Sequence, residues 1–253
     1  MVEEEPVQDP LLADAAGLVA TLRVAIQGAA AGAWRDGALS LCDEQQARFS
    51  SVDPFVQPNP VFDAATPETK TLDAAVADAV AGLTELATKA QADEMALLLV
   101  SAAASVHGLA RQQSAPGEGA SPTHLQLLGD QRDNVLSQVW ALIAALEKSL
   151  AHLDAKDPLR EQIIQRIKTA KQLRAALREQ DASEAPQQPP FFTQPPMTNP
   201  AEITAGWAQM EVALAESLVL LSAQTRDHHD WWRAQVELAQ AVGGQIPRWP
   251  GWD

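Results

Sequence analysis

Between Ala185 and Pro200 the chain reads APQQPPFFTQPPMTNP, a run of prolines around two adjacent phenylalanines, with long helix-period segments on either side. Proline has no backbone N–H and a fixed φ, and it pushes the residue before it toward extended geometry, so no helix continues through such a run. The segment is therefore expected to cross the molecule in polyproline-like form, pinned by Phe191 and Phe192. Asp53 to Pro67 (DPFVQPNPVFDAATP) has the same character, with Phe55 and Phe62 as its anchors. These two straps constrain every other element.

The segments around them carry apolar residues at spacings of three and four, the mark of a helix with one buried face. Leu11, Leu12, Ala15, Leu18, Val19, Leu22 and Ile26 predict a first helix, and Trp34 to Val52 a weaker second. After the first strap, Thr66, Pro67 and Glu68 read as cap, first residue and first-turn acid of a third helix bearing Leu72, Val76, Val80, Leu83 and Leu86. Met95, Leu98, Leu99, Ala102, Val106 and Leu109 predict a fourth. Gly and Pro in SAPGEGASP, residues 114–122, then break the pattern. A fifth helix, with its apolar stripe running from Leu128 to Leu153, is followed by a turn at Asp157 and Pro158 and a sixth helix with Ile163, Ile164, Ile167, Ala170, Leu173 and Leu177. Beyond the second strap, Asn199, Pro200 and Glu202 start a seventh helix with Ile203, Trp207, Met210, Leu214 and Leu218. An eighth runs from Asp227 to Val242 and stops at Gly243 and Gly244.

Each half is thus helix, short turn, helix, long Pro/Phe strap, helix, short turn, helix. Two helical hairpins joined by one long crossover is ferritin-like connectivity. The predicted fold is all-α: two ferritin-like four-helix bundles in tandem, each with a long Pro/Phe crossover between its second and third helices. Residues 1–113 form the amino-terminal bundle, 114–122 a linker and 123–253 the second bundle; an elongated eight-helix array is the alternative.

Thirty-three acids against 18 Lys and Arg give a formal net charge of −15, which repels nucleic-acid phosphates and anionic lipid headgroups, so nucleic acid is not an expected partner. Cys42 is the single cysteine, so neither an internal disulfide nor a thiolate cluster can form. No apolar run approaches the roughly 20 residues of a membrane span, so no transmembrane segment is expected, and the acidic lead MVEEEPVQDP is unlike a signal peptide.

Three stretches carry a resemblance: LQLLGDQRDNVLSQVWAL, PPFFTQPPMTNPAEITAGWAQMEVALAESLVLL and AQAVGGQIPRW. Through them the second half resembles the actinobacterial ferritin-like domain family of unknown function, often found in exported lipoproteins. The first half resembles the looser amino-terminal bundle that some such proteins carry. The resemblance implies a ferritin-like bundle and supplies no established activity. It also implies an extracytoplasmic, envelope location if an export signal has been removed, and a cytoplasmic one otherwise.

A carboxylate-bridged di-iron site needs a Glu from each of two helices and Glu-x-x-His from each of the other two, because that spacing turns both ligands inward. Three residues before His107, His124, His152, His228 and His229 stand Ala104, Ser121, Ser149, Thr225 and Arg226, none of them acidic. On the fifth helix Gln131, Gln138 and Arg132 stand at or near the apolar stripe. On the seventh, Glu211 flanks the apolar face while Glu216 points away. No metal centre, cofactor or catalytic residue is expected, and no phosphate loop, GxSxG elbow or HExxH motif occurs. The cluster Asp227, His228, His229, Asp230 fans around a helix start and reads as capping.

Four of the seven tryptophans, Trp231, Trp232, Trp249 and Trp252, lie after residue 230. They pack the tail onto the bundle or anchor a protein partner, since tryptophan is enriched at binding hot spots. Lys168, Lys171, Arg174 and Arg178 make a basic stripe on the sixth helix, read as a solvated face or as a surface docking on the acidic first half. The function expected is a non-catalytic, ferritin-like accessory or protein-interaction module with a protein partner of unknown identity. The alternatives are a metal-binding or redox member with unorthodox ligands around His228 and Glu211, and a small-molecule binder with an interhelical cavity.

Overall fold

Periodic apolar stripes longer than ten residues, separated by capping and breaking residues, leave little choice but helices packed on helices. The computed structural model describes residues 8–56, 67–111, 115–127, 129–179 and 194–252. Among them are eight α-helices and no strand. They are α1 (Pro10–Gln27), α2 (Ala33–Phe49), α3 (Leu72–Lys89), α4 (Asp93–Leu109), α5 (Gln131–Ser149), α6 (Pro158–Glu179), α7 (Pro200–Thr225) and α8 (His229–Ala241). Phe62, Phe191 and Phe192 lie outside the described residues, whereas Phe55 is buried.

Most helix boundaries follow from their caps. The Asn199 side chain accepts from the Glu202 N–H at 3.0 Å with Pro200 in the first helical position, and Asp157 accepts from Leu159 in the same way before Pro158. The third helix differs from its expected start: residues 67–71 are not helical, and Thr71 rather than Thr66 stands at the N-cap. The long fifth helix is also shorter, capped by Asp130 and passing into a 3-10 turn at Leu150–His152.

Each half pairs its helices in the same way. α1 packs on α2 and α3, and α3 on α4; α5 packs on α6 and α7, and α7 on α8. Between the halves α4 packs on α7 and α8. As a result Ala96 to Val106 is buried without a break, apolar except for Ser101 and Ser105, as suits a helix inside a core. One contiguous hydrophobic core draws on all eight helices.

Segment 115–127 and the carboxyl-terminal tail lie along this junction. The Gly117 N–H donates to the Ile246 carbonyl at 2.8 Å. A Cβ on Gly37 of α2 would sit 2.5 Å from Ala115 Cβ, so only glycine lets the segment lie this close. Arg48 of α2 donates to the carbonyls of Pro54 (2.5 Å), in the loop that follows α2, and of Pro122 (3.0 Å) in segment 115–127. The tail itself inserts Trp249 edge-on against Phe49 and Trp252 beside Phe55, while Trp249 Nε1 and Arg248 both donate to Glu44. From the other side, Arg226 in the α7–α8 turn donates to the Ala90 carbonyl and pairs with Asp93 between α3 and α4.

Among the described residues α1 alone, 18 residues of mean hydropathy 1.3, is long and apolar enough to cross a membrane by length and composition. Here Leu12, Val19, Leu22 and Ile26 are wholly buried against its neighbours in the core. Cys42 is buried too, and desolvation pushes its thiol up to about 12, so it is a core side chain rather than a reactive one.

Trp249→Ala is expected to cost about 3–5 kcal/mol in urea unfolding, the range for emptying a buried aromatic site. A change below about 1 kcal/mol, the scale of an ordinary surface substitution, would show that the tail is not part of the core.

Candidate functional site: a saturated interior carboxylate and the groove beside it

Where helical bundles bind metal, the ligating carboxylates project into the interior between facing helices. Among the described residues one carboxylate, Glu211 of α7, is buried in the interior. Trp207 and Glu211 are one turn apart on the buried face of α7, and Glu211 is 1% exposed. Its Oε1 accepts from Arg166 Nε and Trp207 Nε1, both at 2.6 Å. Its Oε2 accepts from Arg166 Nη2 at 2.8 Å and from Gln235 Nε2 at 2.5 Å. A carboxylate has about four lone-pair positions, and four donors use them.

The donors come from three helices: Arg166 from α6, Trp207 from α7 itself and Gln235 from α8. Arg166 also donates to Gln235 Oε1 (3.0 Å) and Thr169 Oγ1 (3.1 Å), and Gln235 Nε2 to the Glu211 carbonyl (3.0 Å). The side chains of Arg166, Trp207 and Gln235 are all buried. The ion pair is bidentate and its remaining valences are met, the condition under which a buried charge pair is tolerated. In the first half the corresponding helices carry a neutral pair, with Gln45 Nε2 of α2 donating to Ser105 Oγ of α4 at 2.9 Å.

The second feature is a groove. α3 and α8 both pack on α4 and leave a cleft of about 430 Å³ between them. Leu72, Val76 and Val80 of α3 line it, with Ala77, Ala81 and Ala110 at its edges. Ala81 and Arg233 continue it into a second cleft of about 480 Å³ around the α7–α8 turn. There it meets Asp227, Asp230, Glu85 and the His228–Trp231 stack, whose rings are 4.3 Å apart and nearly parallel. Arg226 and His228 adopt left-handed conformations (φ 60° and 62°), which set this turn on either side of Asp227.

The four tryptophans therefore have different environments. Trp232, Trp249 and Trp252 are buried within the chain, and Trp231 is partly exposed along the groove. Of the Asp227–Asp230 cluster, His228 is the N-cap residue but makes no side-chain cap. His229 Nδ1 lies 2.7 Å from Ser222 Oγ, and Ser222 is wholly buried while His229 lines the cleft at the turn. On α6, Lys171 pairs with Glu147 (2.7 Å), Arg174 lies over Trp140 (4.0 Å), and Lys168 and Arg178 face solvent. Among the described residues no group of three or more His, Cys, Asp or Glu side chains is placed to hold a metal ion. Compared with known proteins, the chain matches no family model, no curated protein and no solved structure.

Two histidines at the groove are held below the ordinary imidazole value of 6.5. Burial is the main cause for both, and the charge of Arg233 acts in the same direction, against Glu237 at His107 and Asp227 at His229. Glu237 accepts from His107 Nε2 at 3.2 Å, which places the proton of the neutral ring on that nitrogen. An unfolded histidine takes up its proton near pH 6.5 while the folded one resists, so their contribution to stability is present above that pH and lost as pH falls through the folded values. Exposed His124, raised by Asp53 and Glu94, contributes with the opposite sign, and solvent screens it. Unfolding free energies between pH 8 and pH 5 should therefore fall toward acid, less steeply in His229→Asn. An unchanged slope in that variant would remove His229 as a source.

Proposed function

We propose that the chain is a non-catalytic ferritin-like helical protein, two hairpin-crossover-hairpin units in tandem, acting as an accessory or protein-interaction module. The repeated helix pairing supports the tandem reading. The saturation of Glu211 carries the functional one: every acceptor position that a metal ion would use is filled by a guanidinium, an indole and an amide from this chain. A guanidinium in the bundle interior supplies the positive charge that a bound cation would bring in a metal-loaded relative of this architecture. It has no redox chemistry and no exchangeable coordination position.

The proposal is tested by metal analysis of the purified full chain after growth in iron- and manganese-supplemented medium. Substoichiometric metal, unchanged by Glu211→Gln, is the expected result. Near-stoichiometric iron or manganese lost in Glu211→Gln would overturn it and favour a metal-binding member of the fold. The small-molecule reading has one observation in its favour, the apolar cleft of about 430 Å³, within the size range of ligand pockets.

A further inference from the structure

The groove between α3 and α8 has the form of a missing helix. On α3 the residues facing it run from Leu72 to Glu85 at spacings of three and four, a single helix face about 20 Å long at 1.5 Å per residue. Its floor is apolar along the first three turns, where Leu72, Val76 and Val80 stand in line. Ala77 and Ala81, the small residues beside them, leave room for a neighbour's side chains. Two helices that share α4 as a neighbour without packing extensively on each other leave space for a third between them.

Carboxylates outnumber cations along the two clefts taken together. Asp73 stands at one end, and Asp227 and Asp230 at the other, beside Glu85, which Lys89 already pairs at 2.6 Å. Among the described lining residues Arg233 is the cation facing both clefts; it pairs weakly with Asp230 at 3.5 Å and donates to Thr84 at 3.1 Å. His107 and His229 add no charge at neutral pH, because burial holds both rings in the neutral form. Trp231 is covered on one face by His228 and is partly exposed. An indole among carboxylates attracts an ammonium or guanidinium group. The net charge of −15 draws cations toward the whole molecule.

From the apolar floor, the acidic rim and the aromatic end together, we propose that this groove is the docking site for a basic amphipathic helix of a partner protein. The helix lays leucine-like residues at i, i+3 or i+4 and i+7 over Val76 and Val80, and places a lysine or arginine against Trp231, Asp227 and Asp230. The proposal rests on the interaction-module reading and names the class of partner.

The test is fluorescence polarisation of the full chain with labelled 14-residue model peptides: an amphipathic Leu/Lys helix, its Leu/Glu counterpart and a scrambled Leu/Lys sequence. The Leu/Lys helix is expected to bind at moderate salt, and the other two at least tenfold more weakly. Ala81→Arg, which puts bulk and positive charge at the junction of the two clefts on an exposed position of α3, should weaken binding at least tenfold. Ala175→Arg, the same charge change on α6, should leave it within twofold. Equal binding of the scrambled peptide, or equal effects of the two substitutions, would overturn the proposal and leave only attraction to an acidic surface.

Concentration-dependent dimerisation lost in Ala81→Arg would also overturn it, and would assign the groove to a second copy. Displacement of the Leu/Lys helix by spermidine at micromolar concentration would assign it to a small organic cation. Metal content is read separately. Metal-free protein that ignores the Leu/Lys helix refutes the groove alone, whereas a metal-loaded chain refutes the non-catalytic reading whatever the peptides do.

Discussion

A carboxylate taken out of water must be met by an opposite charge and by donors for each of its lone pairs, or the fold cannot hold it ionised. Glu211 imposes that requirement on the second half of this protein. Arg166 supplies the charge from α6, Gln235 supplies an amide from α8, and Trp207 supplies an indole from one turn earlier on α7. Bidentate geometry leaves little freedom in how α6 can slide or rotate against α7. The same contacts that fix the helices consume the ligand positions, so structure and the proposed lack of metal chemistry have one cause.

The two halves are joined by different means. α4 is buried on every side because α7 and α8 cover the face that α3 does not. Arg48, Arg226 and the Trp249 tail then tie loops and turns of one half to carbonyls and carboxylates of the other. The groove is a by-product of this sharing. α3 and α8 are held side by side by a common neighbour, and a cleft lined by Leu72, Val76 and Val80 of α3 and by Arg233 of α8 remains between them.

Much of the fold could be read from residue spacing. The helices, the Asn199 cap and the turn at Asp157 and Pro158 follow from local rules, and local rules act through neighbours in sequence. The exceptions have tertiary causes. Leu97, Val100, Ala103 and Ala104 lie off the stripe expected for the fourth helix, yet all are buried, because a second half packs where solvent was expected. Thr66 has good capping chemistry, but the helix begins only where Leu72 and Val76 reach the core. At the interior site, Glu211 was legible as flanking an apolar face. Its partner also carries a signal, since Arg166 stands three residues after Ile163 and four before Ala170, on the stripe itself. The guanidinium of Arg132 on α5, near that helix's apolar stripe, lies beside Asp130 at the helix start. Trp231 and Trp232 are indistinguishable as text, and only the facing of α8 makes one core and the other surface. The groove leaves no sequence signal, since it requires knowing that residues 72–85 and 227–233 are neighbours.

Whether Arg166 and Glu211 hold one another as a charged pair can be measured by urea unfolding of Arg166→Met beside the double variant Arg166→Met with Glu211→Leu at neutral pH. Losing the guanidinium alone strands a buried carboxylate, and a loss of about 3–5 kcal/mol is expected, most of it regained when Glu211 is made apolar as well. Near-wild-type stability of Arg166→Met, or no recovery in the double variant, would contradict the saturated-carboxylate interpretation of the bundle interior.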